Sequence, residues 1–190
     1  MRLTPLIAVF GLALIQAGCA DSRTPTDARA SSGVANADRT TNGQSGKVVG
    51  IFDACDPTTF GQNNVSCTRS GGVTFDQFIA QVTQNQKAGG WHFAPAELTV
   101  KVGEGFFALN RGGETHTFTE VEHFGGGIIP GLNVLSGNPV EAEECKNLTG
   151  ADFLAPGQSS DLDVADDEGT ELYQCCIHPW MRAEVHIGAH

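Results

Sequence analysis

The chain has 190 residues, a formal charge of −11, 40% hydrophobic residues and 17% charged residues. This composition predicts one globular domain with a core of ordinary size and excludes a wholly disordered chain. From Lys47 onward there are seven basic and 19 acidic residues, a formal charge of −12, which excludes electrostatic attraction to nucleic acid or anionic lipid. The acidity steers the domain toward a basic protein or a cation, or it serves solubility alone.

The first 18 residues predict an export signal. They contain Arg2 and an apolar run over residues 6–15 that is too short to span a bilayer. The Ala-Gly-Cys ending resembles a bacterial lipobox, in which Cys19 becomes the acylated N-terminus of a lipoprotein. Gln16 departs from the apolar residue usual at its position, so secretion without a lipid is the alternative. Either way we expect the domain in the periplasm or the cell envelope.

Residues 19–46 predict a flexible tether. They are rich in Ala, Ser, Thr, Asp, Asn and Gly and contain no aromatic residue, so they cannot bury enough surface to offset chain entropy. With this tether, the lipid at Cys19 would be the only attachment of the chain to a membrane.

Residues 47–90 predict an N-terminal extension with a small disulfide loop and one helix. Cys55 and Cys67 flank a stretch rich in Pro, Thr, Gly and Asn, and a disulfide between them is the simplest pairing. Thr74 and Gln77 form a capping box for the helix, and Gly89 with Gly90 is expected to end it. Its apolar stripe comprises Phe75, Phe78, Ile79 and Val82.

From Trp91 onward the hydrophobic period changes to two, which predicts β-strands. Glycine-rich turns separate the first of them, and short strands at this spacing are typical of a β-sandwich. Residues 122–158 form an irregular section, longer than a strand connection needs, that contains Cys145. The predicted strands cover residues 98–102, 106–110, 115–121, 160–164, 171–176 and 182–187.

The segment over residues 173–185 brings a thiol, an imidazole and a thioether close together, at Cys175 or Cys176, His178 and Met181. Two histidines, one cysteine and a weak axial methionine suit a copper ion that alternates between Cu(I) and Cu(II). His116 is the best candidate for the second histidine, because it starts a predicted strand after a glycine-rich turn.

This loop resembles that of the cupredoxin family, in the form found in plastocyanin-like and amicyanin-like proteins. The match is Cys-Cys-Ile-His-Pro-Trp-Met at residues 175–181, and the run from Phe93-Ala-Pro to His116-Thr117 resembles the strands before the first histidine ligand. The resemblance covers about residues 91–188. It implies a mainly β domain over residues 91–190, a Greek-key β-sandwich with the helix of the extension added to it. It also implies one copper ion, bound by His116, Cys175, His178 and Met181.

The family's Cys-x-x-His spacing assigns Cys175, rather than Cys176, to the metal. Cys176 would then face the other side of an extended strand and could bond Cys145. This leaves one lipid-bearing thiol, one copper-binding thiol and two disulfides. A vicinal disulfide or a purely structural loop is the alternative, and zinc is disfavoured because it prefers four strong ligands without a thioether.

The resemblance implies one-electron transfer between redox proteins rather than enzymatic turnover. The thiolate would provide the electronic path, His178 an exposed edge toward the partner, and Trp180 with Pro179 an apolar patch around it. The acidic surface favours a basic partner of the cytochrome kind. Copper storage or delivery without electron transfer is the alternative. A copper oxidase would need further histidines in His-x-His pairs, and the sequence contains none.

Overall fold

The structure is a computed structural model that describes residues 39–41 and 44–189. The expected signal peptide over residues 1–18, Cys19 and most of the expected tether lie outside these residues. In the described part of the chain, no helix has the length and apolar character needed to cross a bilayer.

The described strands form two sheets. One sheet has the order β1-β2-β5-β7, with β3 also paired to β2, and the other has the order β4-β9-β8-β6. The strands are β1 (Arg39–Thr41), β2 (Gln44–Phe52), β3 (His92–Ala94), β4 (Glu97–Lys101), β5 (Gly105–Asn110), β6 (Thr119–Val121), β7 (Asp163–Val164), β8 (Gly169–Gln174) and β9 (Arg182–Gly188).

The two sheets pack face to face over one apolar core. Val49 and Phe106 of the first sheet and Val185 of the second are fully buried in the same cluster. The ring of Phe106 meets the ring of Tyr173 edge-on, with centroids 5.6 Å apart, which joins β5 to β8. The alternation of buried and exposed residues along β4 and β9 matches a strand with one face on the core. The mainly β sandwich predicted from the sequence is therefore confirmed.

Strand β2 was not predicted, although it lies in the centre of its sheet. It pairs in parallel with β5, from Lys47 opposite Phe106 to Ile51 opposite Asn110. A domain boundary at residue 91 would therefore divide one sheet. The first residues of β2 and the whole of β1 also lie within residues 19–46, which were predicted to be a tether. The apolar run over residues 48–52 does not alternate, because Val49, Gly50 and Ile51 are all buried, so the periodicity gave no strand signal.

The helix predicted in the extension is α2 (Phe75–Asn85). Its capping box forms as expected, since the Gln77 N–H donates to Thr74 Oγ1 and the Thr74 N–H donates to Gln77 Oε1. The helix ends before the predicted glycines, because Gln86 adopts a left-handed conformation with φ of 60°. Two further helices, α1 (Pro57–Gln62) and α3 (Pro130–Leu135), are too short to produce a periodic signal.

Both expected disulfides are present. Cys55 is bonded to Cys67 and Cys145 to Cys176, while Cys175 is free and buried. The first bond closes the loop between β2 and α2. The second joins the irregular section over residues 122–158 to the segment that follows β8.

A run of three glycines lets that irregular section approach the segment after β8. The Ile128 N–H donates to the carbonyl oxygen of Cys176 at 2.7 Å. A Cβ atom placed on Gly127 would collide with this same carbonyl group. The absence of a side chain at residue 127 is therefore a packing requirement of the sandwich end that carries Cys176.

Replacing Gly127 by alanine is expected to destabilise the protein by about 1–3 kcal/mol, because the new methyl group meets backbone that cannot rotate away. Gly131→Ala, in α3, is the matched control, since a Cβ there meets no atom within 4 Å. We expect the control to be neutral or to stabilise by up to about 1 kcal/mol. Denaturant unfolding measures both, and equal stabilities of the two variants would contradict the packing requirement.

Candidate metal centre

The segment between β8 and β9, residues 175–181, folds back on itself through backbone hydrogen bonds. The Cys175 N–H donates to the Met181 carbonyl at 3.0 Å, and the Met181 N–H donates to the His178 carbonyl at 2.9 Å. We call this segment the ligand loop. The side chains of Cys175, His178 and Met181 are all buried.

His116 is positioned by a turn that Asn110 organises. The Asn110 Nδ2 group donates to the carbonyls of Glu114 and Leu154 at 2.8 and 2.7 Å, and its Oδ1 atom accepts from the Gly112 N–H. The backbone of His116 then exchanges two hydrogen bonds with Leu154. The predicted strand over residues 115–121 is therefore shorter than expected, and only its last three residues form β6.

Thr117 joins the His116 segment to the ligand loop. Its Oγ1 atom accepts from the Cys176 N–H at 2.7 Å, and its own N–H points at the Cys175 sulfur at 3.4 Å. Both contacts are buried, and each joins a backbone N–H of one segment to a side chain of the other, so the fold fixes the separation between His116 and the ligand loop.

The Cys175 sulfur lies between two imidazoles. Its distances to the Nδ1 atoms of His116 and His178 are both 3.8 Å, and the exposed fractions of the three residues are 0%, 0% and 3%. The potential ligand atoms of these three residues all lie within 4.8 Å of one another. Met181 is 1% exposed and belongs to the same core cluster as Cys175.

These separations fit one bound metal ion. With metal–sulfur and metal–nitrogen bonds of about 2.3 and 2.0 Å, a trigonal arrangement separates sulfur from nitrogen by about 3.7 Å. A thiolate, two imidazoles and a buried thioether on the same loop are a soft donor set that suits copper.

The surroundings favour the ligating form of Cys175. Burial raises the pKa of the thiol, but hydrogen bonds and charge from His116 and His178 outweigh burial and hold the pKa well below its ordinary value. Burial lowers the pKa of His116, but Asp53 and Cys175 together raise it to about 9. The thiolate that a metal requires is therefore stabilised by the two residues that would share the metal.

Two buried carboxylates stand behind the imidazoles, and neither was predicted as part of the site. Asp53 Oδ2 lies 3.0 Å from His116 Nε2, and Glu114 Oε2 lies 4.0 Å from His178 Nε2 while accepting from the Trp91 indole. Burial raises the pKa of Asp53, but its bonds to His116 and backbone N–H groups lower it overall. Burial raises the pKa of Glu114. No spacing signal links Asp53 to His116, which is 63 residues away.

Asp53, Cys55 and Glu114 form a second cluster of potential ligands within the described residues. Cys55 is bonded to Cys67, so its sulfur is not a thiolate. The two carboxylates face the imidazoles of the first cluster instead, and we treat them as its surroundings.

The exposed imidazole edge expected at His178 is absent, because α2 covers it. The Phe78 ring stands edge-on to the His178 ring with centroids 6.1 Å apart, and the Trp180 ring lies 5.5 Å away. Trp91 completes the aromatic cover at 6.5 Å. The sequence predicted the apolar face of α2, but not that this face lies over the ligand loop.

No protein-family model matches the chain, and no curated protein matches it. Among solved structures, the chain is similar to a purple cupredoxin from Nitrosopumilus maritimus, with 20% identity, a TM-score of 0.39, and coverage of 53% of this chain and 86% of that one. It is also similar to a Cu(I) form of an amicyanin variant, with 24% identity, a TM-score of 0.34, and coverage of 51% and 73%. A reduced amicyanin variant gives 28% identity, a TM-score of 0.31, and coverage of 49% and 70%. These solved structures are cupredoxins, the family that the ligand loop resembles.

In the metal-free protein, Cys175 is expected to be a thiolate at pH 7, because its imidazole neighbours lower its pKa from the usual value of about 8.5. During acid titration, its ultraviolet thiolate absorption should persist through pH 7 and disappear only at lower pH. Cys175→Ser supplies the baseline. A band that develops only above about pH 8.5 would contradict the lowered pKa.

Proposed function

We propose that this chain binds one copper ion through His116, Cys175, His178 and Met181 and carries single electrons between redox proteins. The observation that supports the proposal best is the placement of both Nδ1 atoms at 3.8 Å from one buried sulfur. The resemblance of the ligand loop to cupredoxins points to the same metal and the same role.

Bound copper would supply the change between Cu(I) and Cu(II), and the chain supplies a rigid, dry set of donors. Cys175 provides thiolate charge and a covalent path into β8. The Thr117 N–H withdraws electron density from its sulfur, and the backbone bonds of the ligand loop limit movement of the donors. Four donors leave no open position for a substrate, which favours a carrier over an enzyme.

The aromatic cover determines where electrons would enter. Since His178 is 3% exposed, a partner does not reach its imidazole directly. Trp180 is half-buried and contacts both His178 and Phe78, so we place the route through these rings. The acidic surface favours a basic partner, and export with a lipid on Cys19 would hold the domain in the periplasm or at the envelope.

Storage or delivery of copper is the weaker candidate. Delivery requires exchange of the ion with another protein, whereas the donors here are buried, His178 is covered by Phe78 of α2, and backbone bonds hold the ligand loop. A site built in this way favours retention of the ion through many redox cycles.

Addition of Cu(II) to the purified chain is expected to give one bound copper per chain and an intense visible charge-transfer band, with narrow copper hyperfine splitting in the EPR spectrum. Cys175→Ser should remove the band, because the thiolate is the source of the charge transfer. His92→Ala is the matched control, since His92 is an exposed histidine on β3 and should not affect copper binding. A wild-type protein that binds no copper would overturn the proposed function.

The same copper addition, followed by measurement of the reduction potential, tests whether Met181 is a ligand. Met181→Leu should retain the visible band and raise the reduction potential, because the ion loses a donor that helps to stabilise Cu(II). An unchanged potential and an unchanged EPR spectrum would remove Met181 from the ligand set.

Phe78→Ala is expected to accelerate oxidation of the Cu(I) form by a small outer-sphere oxidant, because it opens the cover over His178. An apolar cavity of about 380 Å³ already lies between α2 and α3 beside His178 and would become continuous with the opening. Phe75→Ala is the control in the same helix, with ring contacts to Phe60 and Phe78. The rates are measured by stopped flow, and equal rates for both variants would contradict the shielding of His178 by Phe78.

A further inference from the structure

Asp53 is held in a buried cradle directly behind His116. Its side chain is 1% exposed, although it lies just beyond the end of β2. Its Oδ2 atom accepts the backbone N–H groups of Gly113 at 2.7 Å and Glu114 at 2.9 Å and lies 3.0 Å from His116 Nε2. The turn that carries His116 is therefore wrapped around this carboxylate.

His116 must be neutral to bind a metal, and the cradle determines which of its nitrogens then keeps the proton. An ionised carboxylate only accepts hydrogen bonds, so the Nε2 atom of His116 must be the donor to Asp53. The Nδ1 atom, which faces the Cys175 sulfur, is then the one available to bind a metal. A histidine ligand held by a carboxylate at its other nitrogen is fixed in orientation and becomes a stronger donor.

His178 is not held in this way. Its Nε2 atom lies 4.0 Å from Glu114, beyond hydrogen-bond length, and the nearest oxygen of Glu114 already accepts from Trp91. The two imidazoles thus differ in their support, although each has a buried carboxylate behind it. A comparison of the two imidazoles therefore separates the effect of a hydrogen bond to the ring from the effect of a nearby carboxylate.

We propose that Asp53 is a positioning residue of the metal centre, which fixes His116 for binding through Nδ1 and lowers the reduction potential of the bound ion. The inference deepens the proposed function and rests on it. The potential falls because a buried negative charge and a stronger imidazole donor stabilise Cu(II) more than Cu(I).

The test compares Asp53→Asn with two charge controls in the full chain. Asp53→Asn is expected to weaken Cu(II) binding about 10–100-fold, measured by chelator competition. If Cu(I) binding is unaffected, the potential rises by about 59 mV for each tenfold loss. Asp56→Asn removes the same charge from the start of α1, where asparagine caps equally well, and should leave both quantities unchanged. Glu114→Gln removes a buried charge without breaking an imidazole bond, so its effect on Cu(II) affinity should be smaller.

A second measurement uses the wild-type protein, so it does not depend on whether a variant folds. Proton NMR of the metal-free and Cu(I)-loaded chains should show a slowly exchanging, downfield Nε2–H signal for His116. The corresponding signal of His178 should exchange faster, because its Nε2 atom has no carboxylate within bonding distance.

The outcomes separate the two proposals. Asp53→Asn and Asp56→Asn proteins with equal potentials and equal Cu(II) affinities would overturn the role of Asp53, as would rapid exchange at His116. If the wild-type chain binds no copper, the proposed function fails, and the effect on potential fails with it. The NMR signal of the metal-free chain would still decide whether Asp53 fixes His116.

Discussion

A fully buried sulfur atom, whose lowered pKa favours the thiolate, is the constraint on which this end of the molecule depends. A thiolate without compensation is costly in an apolar interior, and Cys175 has no access to water. Two imidazoles and the Thr117 N–H supply that compensation, with His116 and Thr117 on one segment and His178 on the ligand loop. The Cys175 sulfur is therefore stabilised through three features: the turn organised by Asn110, the backbone bonds of the ligand loop and the carboxylate behind His116.

The sequence was most informative where the chemistry is local. Cys175, His178 and Met181 fall within seven residues, so their spacing predicts a shared site before any fold is known. The capping box of α2 depends on Thr74 and Gln77, which are three residues apart, and is likewise predictable from the sequence. Burial of β2 depends on a parallel partner more than 50 residues away, and the contact of Asp53 with His116 depends on that pairing. Neither leaves a pattern in the neighbouring residues.

The segment before Trp91 is part of the site's architecture as well as of its sheet. Strand β2 places Asp53 behind one imidazole, and α2 places Phe78 over the other. The Cys55–Cys67 bond closes the loop between these two elements. The resemblance to cupredoxins begins near residue 91 and does not include this segment. Two of the features that distinguish this site from an imidazole exposed at the surface, the carboxylate of Asp53 and the ring of Phe78, therefore arise from residues outside the resemblance.

The adjacency of Cys175 and Cys176 has a consequence for how the protein matures. In the unfolded chain both thiols can pair with Cys145, and oxidation of Cys175 would remove the thiolate of the proposed metal site until the bond was reshuffled. In the folded protein Cys176 is bonded to Cys145, whereas the Cys175 sulfur faces the two histidines, so docking of this segment separates the two thiols. The fold thus selects Cys176 for oxidation and leaves Cys175 as a free thiol for the proposed metal site.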